Sequence, residues 1–286
     1  PASAFMPTVR PMVRRLRPTA STVAPGEVMN EYTIKPQQQG IAVVTGASRG
    51  IGRAIALQFA GTGAQVAVHY QSNLKATLAP LAELPGPGHI LCAGDVAVPD
   101  AAQRLVDEAI YEMGGIDILV NNAGIFEAHP VDEVSYEDWQ HHWQRTLAVN
   151  LVGPANLCWH AVRHMRESGG GRIVNISSRG AFRGEPHCPA YGASKAGLNA
   201  LTQSLAQQLA PLGIFVGAMA PGFVETDMAS AVLDGPGGDA VRNQSPLGRV
   251  AKPEEVAHAV LFLASSGAEF STGTVIDVNG ASYLRT

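Results

Sequence analysis

One stretch decides the fold: Ile41-Ala42-Val43-Val44-Thr45-Gly46-Ala47-Ser48-Arg49-Gly50-Ile51-Gly52. Its apolar first half predicts a short buried strand, and the three glycines that follow open a helix. Glycines let a backbone turn tightly and approach a pyrophosphate, and a helix N-terminus offers unpaired N–H groups with a positive dipole end. This order of strand, glycine turn and helix predicts the first βα unit of a dinucleotide-binding fold.

The rest of the chain repeats this alternation of strand and helix. Strand-like apolar runs bounded by Gly, Asp or Pro are typical of parallel strands that are covered on both faces. Repeated βαβ units predict an α/β fold, a single doubly wound, Rossmann-like parallel sheet with helices on both faces. The predicted strands are residues 41–45, 65–70, 89–93, 117–121, 172–177, 214–219 and 274–278. The predicted helices are residues 52–62, 74–84, 100–113, 136–167, 191–211 and 253–265.

Two segments depart from this pattern. Residues 1–39 are predicted to form an arm outside the core domain of residues 40–286. The start of the arm is rich in arginine and lacks acidic residues before Glu27, which is also typical of organelle targeting, although its prolines would interrupt an amphipathic helix. Residues 226–250 contain Asp234-Gly235-Pro236-Gly237-Gly238 and are predicted to form a flexible substrate flap.

The composition excludes several classes of protein. A net charge of −4 and a pI near 6.1 give no reason to expect nucleic acid binding. No apolar run approaches the roughly 20 residues of a membrane span. Cys92, Cys158 and Cys188 lack metal-ligand spacing, which predicts free thiols in a reducing, cytoplasmic location and no metal site.

Three residues carry the predicted chemistry. Tyr191 and Lys195 lie four residues apart near the start of a helix, so their side chains share one face. A neighbouring ammonium is expected to lower the pKa of the phenol from about 10, making Tyr191 a general acid and base. Ser178 follows the fifth strand and can donate a hydrogen bond to a substrate oxygen that gains negative charge, whereas Ser177 points the other way.

The end of the second strand predicts the cofactor. NAD enzymes usually place an acid there to bind the ribose 2′-hydroxyl, but this chain has Tyr70 at that place and no carboxylate between residues 69 and 73. Arg49 lies in the glycine turn, and the fixed fork of its donors suits a 2′-phosphate. The sequence therefore predicts NADP(H).

These features, taken in order, resemble the short-chain dehydrogenase/reductase family over residues 40–280. The pattern comprises the Thr-Gly-x3-Gly-x-Gly turn, Asp95, Asn121-Asn122-Ala123-Gly124, Asn150, the Ser178, Tyr191 and Lys195 set, and Pro221-Gly222. The resemblance implies that Asp95 meets the adenine, Asn121 and Gly124 line the cofactor cleft, and Thr226 touches the carboxamide. It also implies that Asn150 anchors a water linking Lys195 to solvent. The predicted catalytic residues are Asn150, Ser178, Tyr191 and Lys195. The predicted cofactor contacts are Gly46, Ser48, Arg49, Gly50, Ile51, Gly52, Tyr70, Asp95, Val96, Asn122, Ala123, Gly124, Tyr191, Lys195, Pro221, Gly222, Val224 and Thr226.

The substrate is less specified. The segment from Pro221 to Met228 resembles the 3-oxoacyl-(acyl-carrier-protein) reductase branch, which implies reduction of a 3-oxoacyl thioester. Gly169 and Leu212 stand where carrier-dependent relatives tend to have basic residues, so a small ketone, a sugar-derived substrate or a free alcohol is also open. Arg166 and Arg172 could substitute for the missing pair. An NAD-dependent alcohol or polyol dehydrogenase and a non-catalytic NADP(H)-binding regulator are the alternatives. The resemblance also implies a homotetramer, with helices 136–167 and 191–211 at one interface and the C-terminal strand at the other.

Overall fold

The computed structural model describes residues 40–285, so the predictions for residues 1–39 lie outside the described residues. Seven parallel strands form one sheet in the order β3-β2-β1-β4-β5-β6-β7. The strands are β1 (Ile41–Val44), β2 (Gln65–Tyr70), β3 (Ile90–Ala93), β4 (Ile118–Asn121), β5 (Gly171–Ile176), β6 (Ile214–Pro221) and β7 (Val275–Val278). The predicted doubly wound parallel sheet is confirmed.

Within residues 40–285, ten α-helices connect the strands or extend the loops. They are α1 (Gly50–Gly61), α2 (Leu74–Ala82), α3 (Pro99–Met113), α4 (Tyr136–Leu147), α5 (Gly153–Ser168), α6 (Gly180–Arg183), α7 (Pro189–Leu209), α8 (Asp227–Leu233), α9 (Gly238–Arg242) and α10 (Pro253–Ala264). Short 3₁₀ turns lie at Ala210–Leu212 and Glu269–Ser271. Among the helices of residues 40–285, none combines the length and apolarity that crossing a membrane requires.

The helix predicted over residues 136–167 is not continuous. A π-helical turn, Ala148–Val152, separates α4 from α5, and the N–H of Gly153 donates to the carbonyl of Ala148. Pro154 has no N–H to offer the carbonyl of Asn150 four residues earlier, so the regular α-helical ladder cannot pass this point. Gly153 also packs closely against the loop that follows β3, since a Cβ at position 153 would lie 2.6 Å from the Val96 carbonyl oxygen. Single π turns of this kind are frequent at functional sites.

Alternation along the strands divides the core into two layers. Ala42 and Val44 face the layer that α1 and α10 cover with Ile55, Phe59 and Val260. The residue between them, Val43, faces the second layer, which is covered by α3, α5 and α7. Both faces of the sheet are therefore apolar, as the continuous apolar runs predicted.

The strand order reverses between β1 and β4, and ligands of such sheets bind beyond the carboxyl ends of the strands at this point. The segment 226–250 lies after β6 and contains α8 and α9. It has a small apolar cluster of its own, Ala229, Leu233 and Val250, which the sequence pattern did not reveal. Its mobility stays a prediction.

Candidate active site

A cavity of about 350 Å³ opens at the switch point between β1 and β4. All eighteen residues predicted to contact the cofactor line it, together with Ser178. Asn150 is fully buried and is not part of the cavity lining. The cavity lining includes both the glycine turn and the pair Tyr191 and Ser178, as binding of a dinucleotide beside a small substrate requires.

The glycine turn forms the floor of the cavity. Gly46 and Gly50 adopt φ values of +62° and +54°, a region that side chains rarely enter. Gly52 has ordinary backbone angles but no room, since a Cβ there would lie 2.5 Å from the Asn122 Nδ2 and closer still to the Gly46 carbonyl oxygen. Arg49, the residue that precedes α1, makes no side-chain cap, so the first N–H groups of α1 remain available to an anion. A cradle of this shape fits the pyrophosphate of a dinucleotide.

Hydrogen bonds from β4 fix the turn in place. The Thr45 Oγ1 accepts from the backbone N–H groups of Asn122 and Ala123, both at 2.9 Å. The Asn122 Nδ2 donates to the carbonyl oxygens of Thr45 at 2.8 Å and Gly46 at 3.1 Å. The side chain of Asn122 therefore positions the phosphate-binding turn.

His69 holds the other side of the turn and was missed by the sequence analysis. The backbone N–H of Gly46 donates to its Nδ1 at 3.1 Å, so the ring proton lies on Nε2, which donates to the Gly94 carbonyl at 2.8 Å. Burial lowers the pKa of His69, which keeps the imidazole neutral and able to accept from Gly46. A histidine inside an otherwise apolar buried strand was the available signal.

The part of the cavity predicted to hold the adenosine is lined by Tyr70, Asp95 and Arg49. The Asp95 carboxylate accepts from the backbone N–H of Ala97 at 2.9 Å and from the Gln71 Nε2 at 2.8 Å. Arg49 is largely exposed and lies 3.6 Å from the Asp227 carboxylate, an ion pair that solvent screens strongly. Its guanidinium is therefore held only weakly.

Tyr191 and Ser178 meet at the opposite end. Their side chains share a hydrogen bond, and the Ser178 Oγ also accepts from the backbone N–H of Gly180 at 3.0 Å. Ser177 faces away, since its hydroxyl donates to the Lys195 carbonyl at 3.3 Å within α7. The structure thus places Ser178, and not Ser177, beside the predicted proton donor.

The pKa values of the pair Tyr191 and Lys195 differ from the expected direction. Desolvation raises the pKa of Tyr191 to about 12, although its hydrogen bond to Ser178 acts in the opposite sense. Burial lowers the pKa of Lys195 to about 8. The Lys195 Nζ lies 5.7 Å from the centre of the Tyr191 ring and donates to the Ile176 carbonyl at 2.8 Å. The expectation that the ammonium lowers the pKa of the phenol was wrong for this environment, because loss of solvent around the phenol outweighs the distant charge.

Asn150 occupies the π-helical turn. Its Oδ1 accepts from the Ile125 N–H at 2.9 Å, and its Nδ2 donates to the Ile125 carbonyl at 3.0 Å and the Ser194 Oγ at 3.2 Å. A Cβ at Gly124 would lie 3.3 Å from the Asn150 Oδ1 and 3.5 Å from the Lys195 Nζ. The Asn150 amide and the Lys195 ammonium thus both approach Gly124.

Asn121 does not line the cofactor cleft, contrary to what the resemblance implied. It is buried on the other face of β4, where its Nδ2 donates to the Asn175 Oδ1 at 2.8 Å. Asn175 continues the chain of bonds to Thr202 in α7. Side chains of neighbouring strand residues point to opposite faces, so Asn121 joins strand to helix while Asn122 serves the turn.

His129 fixes the start of the catalytic helix. It is fully buried; its Nε2 accepts from the Ala190 N–H at 3.1 Å, and its Nδ1 donates to the Glu127 carbonyl at 2.8 Å. Ala190 directly precedes Tyr191, so this bond orients the predicted proton donor from outside the motif. Sequence reasoning did not single out His129.

The substrate end has further walls that no motif indicated. Arg179 follows Ser178 directly and is almost completely buried, with its guanidinium donating to the Ser282 Oγ at 2.6 Å and the Gln244 Oε1 at 2.7 Å. Through Arg179, the residue next to Ser178, these bonds connect the segment after α9 with the C-terminal residues. The cavity is also lined by Phe126, Arg145, Glu185, Phe223, Met228 and Val232.

Comparison with known proteins agrees with this arrangement. A family model described as enoyl-(acyl carrier protein) reductase, one of those for short-chain dehydrogenases/reductases, matches residues 46–281. The 3-oxoacyl-[acyl-carrier-protein] reductase of Aquifex aeolicus is 41% identical over 86% of this chain and 98% of its own length. The D-threitol dehydrogenase of Mycolicibacterium smegmatis is 38% identical over 86% of this chain and 93% of its own length. A dehydrogenase/reductase structure from Sinorhizobium meliloti superposes with a TM-score of 0.81 at 34% identity, covering 88% of this chain and 98% of that one. With a glycine turn, a Ser178–Tyr191 hydrogen bond and similarity along nearly the whole described length, this chain belongs to the short-chain dehydrogenase/reductase family.

Proposed function

We propose that this chain is an NADP(H)-dependent oxidoreductase that reduces a carbonyl to an alcohol, with Tyr191 as the general acid. The hydrogen bond between Tyr191 and Ser178 carries the proposal, because it puts two hydroxyl donors side by side at the cavity surface. A bound nicotinamide supplies the hydride in such chemistry. Ser178 then stabilises the negative charge that develops on the substrate oxygen, and Tyr191 gives that oxygen its proton.

The charge states fit the role of Tyr191 as the general acid in reduction. A phenol with a pKa of about 12 keeps its proton throughout the neutral range, so Tyr191 is ready to donate. Lys195, with a pKa of about 8, is mostly cationic at neutral pH and stabilises the phenolate that remains after donation. Asn150, whose Oδ1 flanks Gly124 together with the Lys195 Nζ, would anchor a water through which a replacement proton reaches Lys195.

NADP(H) is proposed because of the residues at the end of β2 and in the glycine turn, and the positions of Tyr70 and Arg49 support it. Tyr70 and Arg49 line the cavity, and residues 69–73 provide no carboxylate to repel a 2′-phosphate. The weak ion pair with Asp227 leaves the Arg49 guanidinium able to turn toward a phosphate. NAD(H) is the alternative cofactor.

The substrate is proposed to be a 3-oxoacyl thioester or a small ketone. The similarity to 3-oxoacyl-[acyl-carrier-protein] reductases favours the first. Support for docking of an acidic carrier protein is divided: of the two arginines that could substitute for Gly169 and Leu212, Arg172 is buried and paired with Glu269 at 2.5 Å, whereas Arg166 is exposed. The similarity to a D-threitol dehydrogenase favours a second candidate function, oxidation or reduction of a polyol with NAD(H). A non-catalytic binder is disfavoured, because it would have no use for the Tyr191–Ser178 pair.

We also propose a homotetramer in a cytoplasmic compartment. Tyr136 and Trp159 on α4 and α5, and Phe270 and Leu284 near the C-terminus, are exposed apolar side chains at the two expected interfaces. Cys92, Cys158 and Cys188 are free and buried, which suits a reducing location.

Replacement of Tyr191 by phenylalanine tests the proposed chemistry. The variant removes only the hydroxyl, so folding and NADPH binding should be retained. General acid catalysis is typically worth 10²- to 10⁴-fold, and kcat for ketone reduction, followed by NADPH absorbance, should fall by at least a hundredfold. A kcat within about tenfold of the unmodified protein would assign the proton to another group.

A further inference from the structure

Glu185 brings a carboxylate into the substrate end of the cavity. It lines the same wall as Ser178, Tyr191 and Arg179 and lies in the loop between α6 and α7. Its carbonyl accepts from the Cys188 N–H at 2.9 Å, which fixes the turn that leads into the catalytic helix. No step of the proposed reaction uses this carboxylate.

Two glycines allow this position. A Cβ at Gly180 would lie 2.6 Å from the Glu185 Oε1, so the carboxylate rests directly on the backbone of Gly180. A Cβ at Gly192 would approach the Gly180 carbonyl to 3.4 Å and the Glu185 nitrogen to 3.6 Å, so the loop packs closely on α7. The packing of the backbone around Gly180 and Gly192 therefore fixes the location of the carboxylate.

The carboxylate has no donor of its own in the part of the chain that the structure describes. Only burial and the charges of Arg183 and Arg179 act on it, and burial, the largest of these, raises its pKa. Arg179 directs its guanidinium to Ser282 and Gln244 instead. An ionised carboxylate accepts hydrogen bonds only, and one that is partly removed from water without a donor is costly. A ligand with a hydroxyl group would supply that donor.

The distance between the Ser178 hydroxyl and the Glu185 carboxylate has an upper bound, which limits how far a substrate hydroxyl can lie from the carbonyl. The Ser178 Oγ is 3.0 Å from the Gly180 nitrogen, and the Glu185 Oε1 is 2.6 Å from the Cβ position of the same residue. With about 2.5 Å between a backbone nitrogen and a Cβ position, the two oxygens are at most about 8 Å apart. A carbonyl oxygen and a hydroxyl on the adjacent carbon are separated by ~3 Å, and a hydrogen bond of about 2.8 Å at each end spans that gap.

We infer that Glu185 is a specificity-determining residue that selects ketones bearing a hydroxyl on the carbon next to the carbonyl, and the corresponding vicinal diols. The inference rests on the proposed function, since it assumes that Ser178 and Tyr191 hold the reacting oxygen. It makes the substrate a short hydroxylated molecule and disfavours a purely apolar ketone. A site that hydrogen-bonds a substrate hydroxyl discriminates strongly against the analogue lacking it, because the buried partner is then left unpaired.

The test uses two substrates that differ by one hydroxyl, 1-hydroxy-2-butanone and 2-butanone. The ratio of their kcat/KM values is measured with NADPH for the unmodified protein, Glu185→Ala, Glu185→Gln and the exposed control Glu112→Ala. The unmodified protein should prefer the hydroxyketone. Glu185→Ala should lower the ratio roughly ten- to hundredfold, while kcat/KM for 2-butanone stays within about threefold of that of the unmodified protein. Glu185→Gln should give a ratio between those of the unmodified protein and Glu185→Ala. The control should leave the ratio unchanged.

Three outcomes would overturn the inference. Equal losses for both substrates in Glu185→Ala, or an unchanged ratio, would make Glu185 a structural residue of the loop. Good reduction of a 3-oxoacyl thioester on a small thiol, with neither butanone accepted, would leave the proposed reductase intact and remove the hydroxyl preference. Failure to oxidise NADPH or NADH with any of the three would overturn the proposed function itself.

Discussion

Replacing Gly52 by alanine probes whether the glycine turn depends on the close approach of α1. Gly52 lies in the first turn of α1, and a Cβ there would be 2.5 Å from the Asn122 Nδ2 and nearer to the Gly46 carbonyl oxygen. Ordinary contacts of a Cβ begin near 3.4 Å. The turn or the Asn122 side chain must therefore move by roughly 1 Å, a shift of the size that can cost a hundredfold where positioning matters.

The stability change follows from three contributions. Overpacking typically costs about 1–3 kcal/mol. Loss of the bond from the Asn122 Nδ2 to the Gly46 carbonyl adds about 1 kcal/mol. The better helix propensity of alanine offsets about 1 kcal/mol. The net destabilisation is about 1–3 kcal/mol, a fall in Tm of several degrees for a domain of this size.

Gly61 offers a matched control at the other end of the same helix. A Cβ at Gly61 meets no atom within 4 Å, so Gly61→Ala should raise stability by about 0.5–1 kcal/mol and leave nucleotide binding unchanged. Thermal unfolding and the Kd for NADPH, from titration of nucleotide fluorescence, are measured for both variants. Gly52→Ala should weaken NADPH binding at least tenfold. If both alanines gave the same Tm and the same Kd, the packing of α1 against the turn would have no part in cofactor binding.

Two further predictions concern residues in or beside the glycine turn. Tyr70→Asp should shift the preference toward NADH by placing a carboxylate beside the 2′ position, and Arg49→Ala should raise KM for NADPH more than for NADH; a preference for NADH in the unmodified protein would refute the interpretation of both residues. His69 should make stability depend on pH: because its pKa is lowered in the folded chain, its contribution is complete above the ordinary value of 6.5 and is lost as the pH falls from there toward the lower folded pKa. The difference in Tm between the unmodified protein and His69→Gln should therefore shrink between pH 7.5 and 5.5, and parallel curves would show that His69 does not titrate in this way.

Much of the fold could be predicted from the sequence because its strands are buried on both faces. Each of the seven predicted strands appears within two residues of its predicted ends, and β4 is buried at all four positions. The break between α4 and α5 was missed, since the apolar periodicity runs through it. That break depends on Pro154 and on the approach of Gly153 to the Val96 carbonyl, a contact between segments more than fifty residues apart. Local patterns do not encode such contacts.

The same distinction separates the site residues that were found from those that were missed. The glycine turn and the Tyr191 and Lys195 pair are local in sequence, so spacing alone indicates them. His69 and Arg179 gain their roles only when β2 meets β3 and when the residue after Ser178 meets Gln244 and Ser282. Asn121 is the opposite case: it stands in a family motif, but strand alternation turns it toward Asn175 and away from the cavity. Alternation was available from the sequence and would have corrected this assignment.

Burial, more than spacing, sets the proton chemistry of Tyr191 and Lys195. Spacing indicates that the two side chains share a face, and from this a lowered phenol pKa was expected. In the folded chain the same loss of solvent raises the pKa of Tyr191 to about 12 and lowers that of Lys195 to about 8, since each group loses stability in its charged form. The Lys195 Nζ also donates to the Ile176 carbonyl. Proton donation from Tyr191 therefore needs a strongly basic acceptor, and the alkoxide formed when hydride reaches a carbonyl is one. By microscopic reversibility the same two groups serve the reverse reaction, in which the phenolate left by proton donation accepts the proton of the alcohol.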